Sequence, residues 1–336
     1  MMKILVGDIG GTKTTLAIVS PEQGPRDMLA KKTFSSRKFS SLEAIIREFL
    51  AGTNLMIDRA IFGIAGPVKG GEVRTTNLPW YIEEAQLAEA FGFSSVVLIN
   101  DLKAMACSVP HLEASELLVL NHGRPLKRGA IAVIAPGTGL GEAFLDWDGT
   151  RDRTHASEGG HTDFAPRTLL QRELLDYLNE RFDHVSYERV CSGPGISHIY
   201  NYLKRSGYAD EPSWLSAQLA GLEDATPIIV NAALDEERPC ELCIRTLDEF
   251  VSILGAEAGN LALKVLATRG VYLGGGIVPR ILPFLKKVIF MKSFQDKGRY
   301  ADLMAGMPVH VILTPDIALL GAASKVLEKM RSNLYP

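Results

Sequence analysis

Nine residues near the N-terminus, Gly7-Asp8-Ile9-Gly10-Gly11-Thr12-Lys13-Thr14-Thr15, restrict the fold more than any other stretch. Lys3-Ile4-Leu5-Val6 ahead of them reads as a short buried strand. Thr14-Thr15-Leu16-Ala17-Ile18-Val19 reads as a second, β-branched and apolar. Two strands joined across Gly10-Gly11 make a hairpin whose glycines allow positive φ and leave no Cβ to hold a ligand away. Backbone N–H groups of the turn can then point into a concavity that suits phosphate oxygens, and the Thr12 hydroxyl can add a donor. Asp8, at the strand end, is placed to hold Mg²⁺ directly or through water. The pattern differs from the strand-to-helix phosphate loop, because Thr12 separates Gly11 from Lys13 and a strand follows. From these residues alone two readings stand: a phosphate site, or a tight hairpin with a solvated aspartate.

At 336 residues the chain has length for two domains, and its net charge is -3 with Lys and Arg scattered. No basic cluster recommends a nucleic-acid or membrane-surface partner. No apolar run approaches the roughly 18–20 residues a bilayer span needs, and the N-terminal apolar stretch stops at Asp8, so a cytoplasmic location is expected. Four cysteines in this length argue against a disulfide framework. The lone Cys240-Glu241-Leu242-Cys243 reads as buried thiols in a helix rather than as a zinc or redox site.

Apolar strands alternate with amphipathic helices, which indicates an α/β chain with sheets covered on both faces. Strands are expected at Met28–Phe34, Arg59–Ala65, Ser95–Ile99, Glu116–Leu120, Ala130–Ala135, Glu142–Trp147, Gly270–Ile277 and Val309–Leu313. Helices are expected at Ser41–Ala51, Glu83–Phe91, Thr168–Arg181, Ser192–Arg205, Glu241–Thr268 and Ile317–Met330. Asp148–Pro166 reads as polar and irregular, and Tyr208–Asp224 as a surface excursion. Strand, glycine corner, strand occurs at Ile4–Val19 and again at Ile131–Leu145, a structural echo without sequence identity.

Asn100-Asp101 ends an apolar strand, where ligands of open α/β sheets collect. Asp101 there is either a base that takes a proton from an alcohol, with Asn100 binding hydroxyls, or the N-cap of a helix Leu102–Cys107. Glu158-Gly159-Gly160-His161 brings a carboxylate and an imidazole to one small polar molecule; a metal site and a plain polar loop are its rivals. Glu188 alone is unremarkable. Gly137-Thr138-Gly139 and Gly274-Gly275-Gly276 follow apolar strands and admit a nucleotide to the backbone, although neither completes a dinucleotide fingerprint.

Taken in order, Gly7–Thr15, Gly63-Ile64-Ala65-Gly66-Pro67, Leu98–Asp101, Ala135–Gly141, Glu158–His161, Tyr187–Gly195 and Tyr272–Ile277 resemble the bacterial glucokinase family. The resemblance implies the two-lobed actin/hexokinase-like (ribonuclease H-like) α/β ATPase fold with an interlobe cleft. It implies a small lobe of residues 1–110 completed by a C-terminal helix at about 315–332, and a large lobe of 111–314. It implies MgATP-dependent phosphorylation of D-glucose at the 6-hydroxyl, with Asp101 as general base. Asn100, Asp101, Glu158, His161 and Glu188 match the residues that hold the sugar. Gly7, Asp8, Ile9, Gly10, Gly11 and Thr12 match the first phosphate loop, Gly137 and Thr138 the second, and Gly274, Gly275 and Gly276 the adenosine glycines. Asp8 is implied beside the Mg²⁺, and a homodimer by the same likeness. The related repressor–ORF–kinase group carries a cysteine-rich zinc site after its histidine. Here Thr162-Asp163-Phe164-Ala165-Pro166 follows His161, so no structural zinc is expected. A kinase for another hexose and a non-catalytic sugar sensor are the alternatives.

Overall fold

The computed structural model describes residues 3–75 and 78–334, and the side chains of 331–334 lie outside the description. The chain divides into two compact units. One comprises residues up to Glu113, Thr154–Ala156 and Thr314 onward; the other comprises Ala114–Arg153 and Ser157–Leu313.

The first unit is built on strands β1 (Lys3–Ile9), β2 (Lys13–Val19), β3 (Met28–Ser35), β4 (Ile57–Ile64) and β7 (Ser95–Asn100), ordered β3-β2-β1-β4-β7. A two-stranded ribbon of β5 (Glu72–Arg74) and β6 (Tyr81–Glu83) stands apart. β1 pairs antiparallel with β2 and parallel with β4, which pairs parallel with β7. The period-2 alternation of β1 divides its side chains between two cores. Leu5 and Ile9 face α1 (Leu42–Ala51) and α2 (Glu84–Phe91), where Leu42, Ile45, Ile46, Phe49 and Leu87 pack. Ile4 and Val6 face the C-terminal helix Ile317–Leu334 through Leu319, Ala322, Ala323 and Val326. Each fully buried Leu, Ile or Val among them contributes about 1.5–3 kcal/mol over its exposed state. Ser41 starts α1 by accepting a hydrogen bond from the Ala44 amide at 3.3 Å.

Helix α3 (Asp101–Ser108) is seated between β4 and the C-terminal helix because both neighbours present glycine. A Cβ on Gly63 would lie 2.9 Å from the Ala104 Cβ, and one on Gly321 only 1.7 Å from the Ala104 carbonyl oxygen. Gly321→Ala is therefore expected to destabilise the protein by about 1–3 kcal/mol through overpacking and to displace the helix that begins with Asp101. Urea unfolding and turnover of the variant check both effects.

Apart from Thr154–Ala156 of β11, which fall in the first unit, the second unit has the sheet β11-β10-β9-β12-β13-β8. Its strands are β8 (Leu117–Asn121), β9 (Ile131–Pro136), β10 (Leu140–Trp147), β11 (Asp152–Ser157), β12 (Gly270–Leu273) and β13 (Val309–Ile312). β9 pairs antiparallel with β10 and parallel with β12, which pairs parallel with β13. This repeats the order of the first sheet, so the echo between Ile4–Val19 and Ile131–Leu145 is a repeat of topology. Helices α4 (Leu169–Asn179), α5 (Gly193–Arg205), α6 (Ser213–Leu219), α7 (Thr226–Leu234) and α8 (Glu241–Val265) follow. α9 (Leu282–Leu285), α10 (Val288–Gln295) and α11 (Ala301–Ala305) complete the unit. Their core centres on α8, with Leu247, Phe250, Val251 and Leu254 buried among residues of α5, α7 and α10. Cys240 and Cys243 are buried free thiols in this core.

Two expectations are corrected. The stretch 148–166 is not irregular throughout, because β11 occupies Asp152–Ser157; its polar residues form an edge strand with half-exposed side chains. Nor is 208–224 merely a surface excursion. It contains α6, whose Leu215 is fully buried, and Glu211 ties it down by accepting hydrogen bonds from Tyr200 and Lys204.

Candidate active site

The expected site residues fall into two groups, one in each unit. In the first, the hairpin loop between β1 and β2 is closed by the Gly10 N–H donating to the Lys13 carbonyl at 2.9 Å. Gly10 does not use positive φ as the sequence reading proposed; what it needs is space, since a Cβ would lie 3.1 Å from that carbonyl. Ser36 holds the loop from outside by donating to the Gly10 carbonyl at 2.7 Å and meeting the Thr14 hydroxyl at 2.9 Å. No local signal marked Ser36, which is distant in sequence. Gly7 and Ile9 are buried in β1, where the missing Cβ of Gly7 makes room for Phe62. Gly11 and Thr12 are at the more open tip.

Asp8 sits at the carboxyl end of β1, level with Gly63, while Asn100 and Asp101 end β7 two strands away. Burial pushes the Asp8 carboxyl up to about 7, and the charges of Asp101 and Asp316 push in the same direction. Asp316, which enters this group just before the C-terminal helix and pairs with Lys31, was not legible in the sequence. The cap of α3 is Asn100 rather than Asp101: its Oδ1 accepts from the Lys103 amide at 3.1 Å, and its Nδ2 donates to the Gly66 carbonyl at 3.3 Å. Asp101 is the first helical residue, with Oδ1 accepting from the Leu102 amide at 2.8 Å. A carboxylate at a helix start beside a capping neighbour is stabilised by the helix dipole.

In the second unit the glycine loops meet. Gly274 N–H donates to the Ile134 carbonyl at 2.9 Å, and Gly275, at φ 85°, approaches so closely that a Cβ would lie 2.4 Å from the Pro136 carbonyl. Gly137 accepts from the first amide of α5, Gly193, at 2.8 Å, leaving Thr138 exposed. Glu188 joins this loop to the polar cluster, its Oε2 accepting from the Leu140 amide at 2.9 Å. The Ser192 hydroxyl donates to the Glu188 carbonyl at 2.6 Å and caps α5. Glu158 and His161 are exposed on a short 3-10 turn with no room for side chains at its centre. A Cβ on Gly159 would lie 2.0 Å from Glu142 Oε2, and one on Gly160 2.1 Å from the Leu140 carbonyl. His184 supports the turn through its Nε2, 2.9 Å from the His161 carbonyl. His161 and Glu188 line a cavity of about 350 Å³ with Arg181, Phe182, His184 and Arg189.

The first unit offers a glycine hairpin loop and carboxylates at strand ends, and the second offers glycine loops and an exposed polar cluster, the kinds of group that phosphoryl transfer to a hydroxylated small molecule employs. The solved structures agree in fold. A glucokinase from an Antarctic psychrotroph superposes with TM-score 0.82 at 34% identity, covering 98% of this chain and 99% of its own. A repressor–ORF–kinase (ROK) family glucokinase from Streptomyces griseus, in complex with glucose and AMPPNP, gives 0.65 at 21% identity over 96% and 98%. The fold is that of the actin/hexokinase-like sugar kinases.

A family model described as Glucokinase matches residues 5–329. A glucokinase of Nostoc punctiforme is 39% identical over 96% of this chain and 98% of its own length. A Yersinia pestis glucokinase is 36% identical over 97% of both. The chain belongs to the glucokinase family and is an ATP-dependent sugar kinase.

Proposed function

We propose that the chain transfers the γ-phosphoryl group of ATP to the 6-hydroxyl of glucose, with Asp101 as the general base. The observation that carries the role of Asp101 is the division of labour at the start of α3: Asn100 accepts the capping hydrogen bond, and the Asp101 carboxylate stands one position further on, at the first residue of the helix. As base, Asp101 accepts the proton of the attacking hydroxyl. Asn100, Glu158, His161 and Glu188 hold the remaining sugar hydroxyls. Backbone amides of Gly7–Thr12 and of Gly137-Thr138 bind phosphate oxygens, and Gly274–Gly276 lie along the adenosine. Positioning and electrostatic stabilisation supply most of the rate in such a transfer.

The residues around Asp8 fit a magnesium ion. A carboxyl pushed toward neutrality by burial, and further by two other carboxylates, is relieved by a divalent cation. Magnesium is usually held by only one or two carboxylates together with phosphates and water, and among the described residues no three acidic, His or Cys groups form a ready-made metal cage. When bound, the ion neutralises phosphate charge. A homodimer and a cytoplasmic location belong to the same proposal and are carried by the family resemblance. Among the described residues no helix is long and apolar enough to cross a membrane.

Asp8 also has a consequence for stability. Its folded-state carboxyl is raised above its unfolded value, so the folded protein binds the extra proton. The associated stability is full below about pH 4 and is lost as pH rises toward about 7. Asp8→Asn is expected to melt higher than wild type at pH 8, to match it near pH 4, and to lose most turnover; thermal scans at both pH values with kinetics check this. The function itself is tested by ADP release from MgATP with a panel of glucose, mannose, fructose and glucosamine. Preference for glucose is expected. Preference for another hexose replaces the substrate, and no turnover with any of them leaves a sugar sensor.

A further inference from the structure

Beneath the Glu158–His161 turn lies a buried pair of carboxyl groups with no part in the chemistry above. Glu142, on β10, is 1% exposed, and Glu257, on α8, is completely buried. Glu142 Oε2 occupies the space a Cβ on Gly159 would take, so the backbone of the sugar-holding turn rests on this carboxyl. Glu257 Oε2 accepts from Asn260 Nδ2 at 2.9 Å. The same amide reaches the Tyr187 hydroxyl at 3.0 Å, and Lys297 donates to Asn260 Oδ1 at 2.7 Å and to the Ala256 carbonyl at 2.9 Å. Tyr187 immediately precedes Glu188, and its own amide donates to the Thr162 carbonyl at 3.0 Å. One segment assigned to the sugar therefore rests on Glu142 through Gly159, and the other is tied through Tyr187 and Asn260 to Glu257. Glu142 Oε1 and Glu257 Oε1 are buried without a hydrogen-bond partner among the described residues, a costly state for two carboxylates and an avoidable one if a proton lies between them.

We propose that Glu142 is a positioning residue for hexose binding: as a neutral acid it donates a hydrogen bond to Glu257, and the pair fixes the Glu158–His161 turn and the Tyr187–Glu188 turn to helix α8. The inference rests on the reading that these turns hold the sugar. The proton belongs on Glu142 because the Glu257 anion has Asn260 as a donor and the Lys264 ammonium 4.0 Å away. Burial raises both carboxyls; Asn260 and Lys264 counter it at Glu257, whereas the charge of Glu257 adds to it at Glu142, which is pushed up to about 8. The other titratable groups facing the pair do not replace the proton. The Tyr187 hydroxyl and the Cys191 thiol are held protonated by burial and by the charge of Glu257, and burial pulls the Lys297 ammonium down to about 8. Above that pH the pair becomes two buried like charges, and the turns lose their shared support.

The test is KM for glucose and for ATP between about pH 6 and pH 9.5 in wild type, Glu142→Gln and Glu142→Ala. In wild type the glucose KM is expected to rise several-fold above about pH 8 while the ATP KM stays level. Glutamine keeps a donor and cannot ionise, so Glu142→Gln is expected to retain the pH 7 glucose KM within about twofold and to lose the alkaline rise. Glu142→Ala is expected to raise the glucose KM about tenfold across the range, by loss of the hydrogen bond and its support. Thermal scans give a second readout. Because the folded state binds the extra proton, the wild-type melting temperature falls relative to that of Glu142→Gln between about pH 5 and pH 8. An alkaline rise unchanged in Glu142→Gln, or equal effects of Glu142→Ala on the two KM values, overturns the proposal. Absence of glucose turnover in wild type at pH 7 instead overturns the kinase reading, and the melting comparison still decides the proton.

Discussion

Replacing Asp101 with alanine is expected to lower kcat by roughly 10²–10⁴-fold, the usual contribution of a positioned general base, while the KM for ATP changes little. The group removed is a half-buried carboxylate at the first position of α3. The cap of that helix stays in place, because Asn100 provides it, so loss of folding does not explain loss of rate. Asp101→Asn refines the result. Its side-chain oxygen can still accept the Leu102 amide, but an amide is a far weaker base, so the same collapse of kcat is expected in a protein of near wild-type stability. Removing the charge also takes away one of the causes that raise Asp8, so the Asp8 carboxyl is expected to titrate lower in either variant. Turnover near the wild-type rate in Asp101→Ala would remove this residue from the chemistry.

The second large effect is expected at the Glu158–His161 turn, proposed to hold the sugar. Glu158→Ala is expected to raise the KM for glucose about 10–100-fold, the range for a hydrogen bond to a charged group worth about 1.5–3 kcal/mol, and His161→Ala about 2–10-fold, as for a hydrogen bond worth about 0.5–1.5 kcal/mol. The KM for ATP is expected to stay within about twofold. Both side chains are exposed, whereas the glycines between them are wedged against Glu142 and Leu140, so truncating either end leaves the turn itself supported. Steady-state kinetics with each substrate varied against saturating partner checks this, and a larger effect on ATP than on glucose refutes the assignment. Glu188→Ala is a different case, because its carboxylate also accepts the Leu140 amide beside the Gly137-Thr138 loop.

What was legible in the sequence, and what was not, follows from the range of each interaction. The β1–β2 hairpin, the strand leading to Asn100 and the amphipathic α1 are governed by local periodicity, and their placement matches the structure closely. The topological repeat could be read because glycine corners between apolar strands are local signals too. The exchange of roles between Asn100 and Asp101 was hidden. Both residues are good caps, and a one-residue shift in helix start decides between them. β11 was missed because an edge strand carrying Arg, Thr and His has no apolar alternation to show. Ser36, Asp316 and Glu142 were beyond reach for another reason. Each acts on a residue distant in sequence, Gly10, Asp8 and Gly159 respectively, and only the fold brings them there. Glu142 stands beside the recognised glycine motif, yet nothing in Gly141-Glu142-Ala143 distinguishes a buried proton-holding carboxyl from an ordinary strand-edge glutamate.

The most direct test of the mechanism is the distance from the Asp101 carboxylate to the 6-oxygen of glucose in a crystal structure of the protein with glucose and AMPPNP. The account predicts a hydrogen bond of about 2.6–3.2 Å, direct or through one water. A carboxylate turned toward Asn100 and α3, with the 6-oxygen beyond its reach and facing another base, would contradict it.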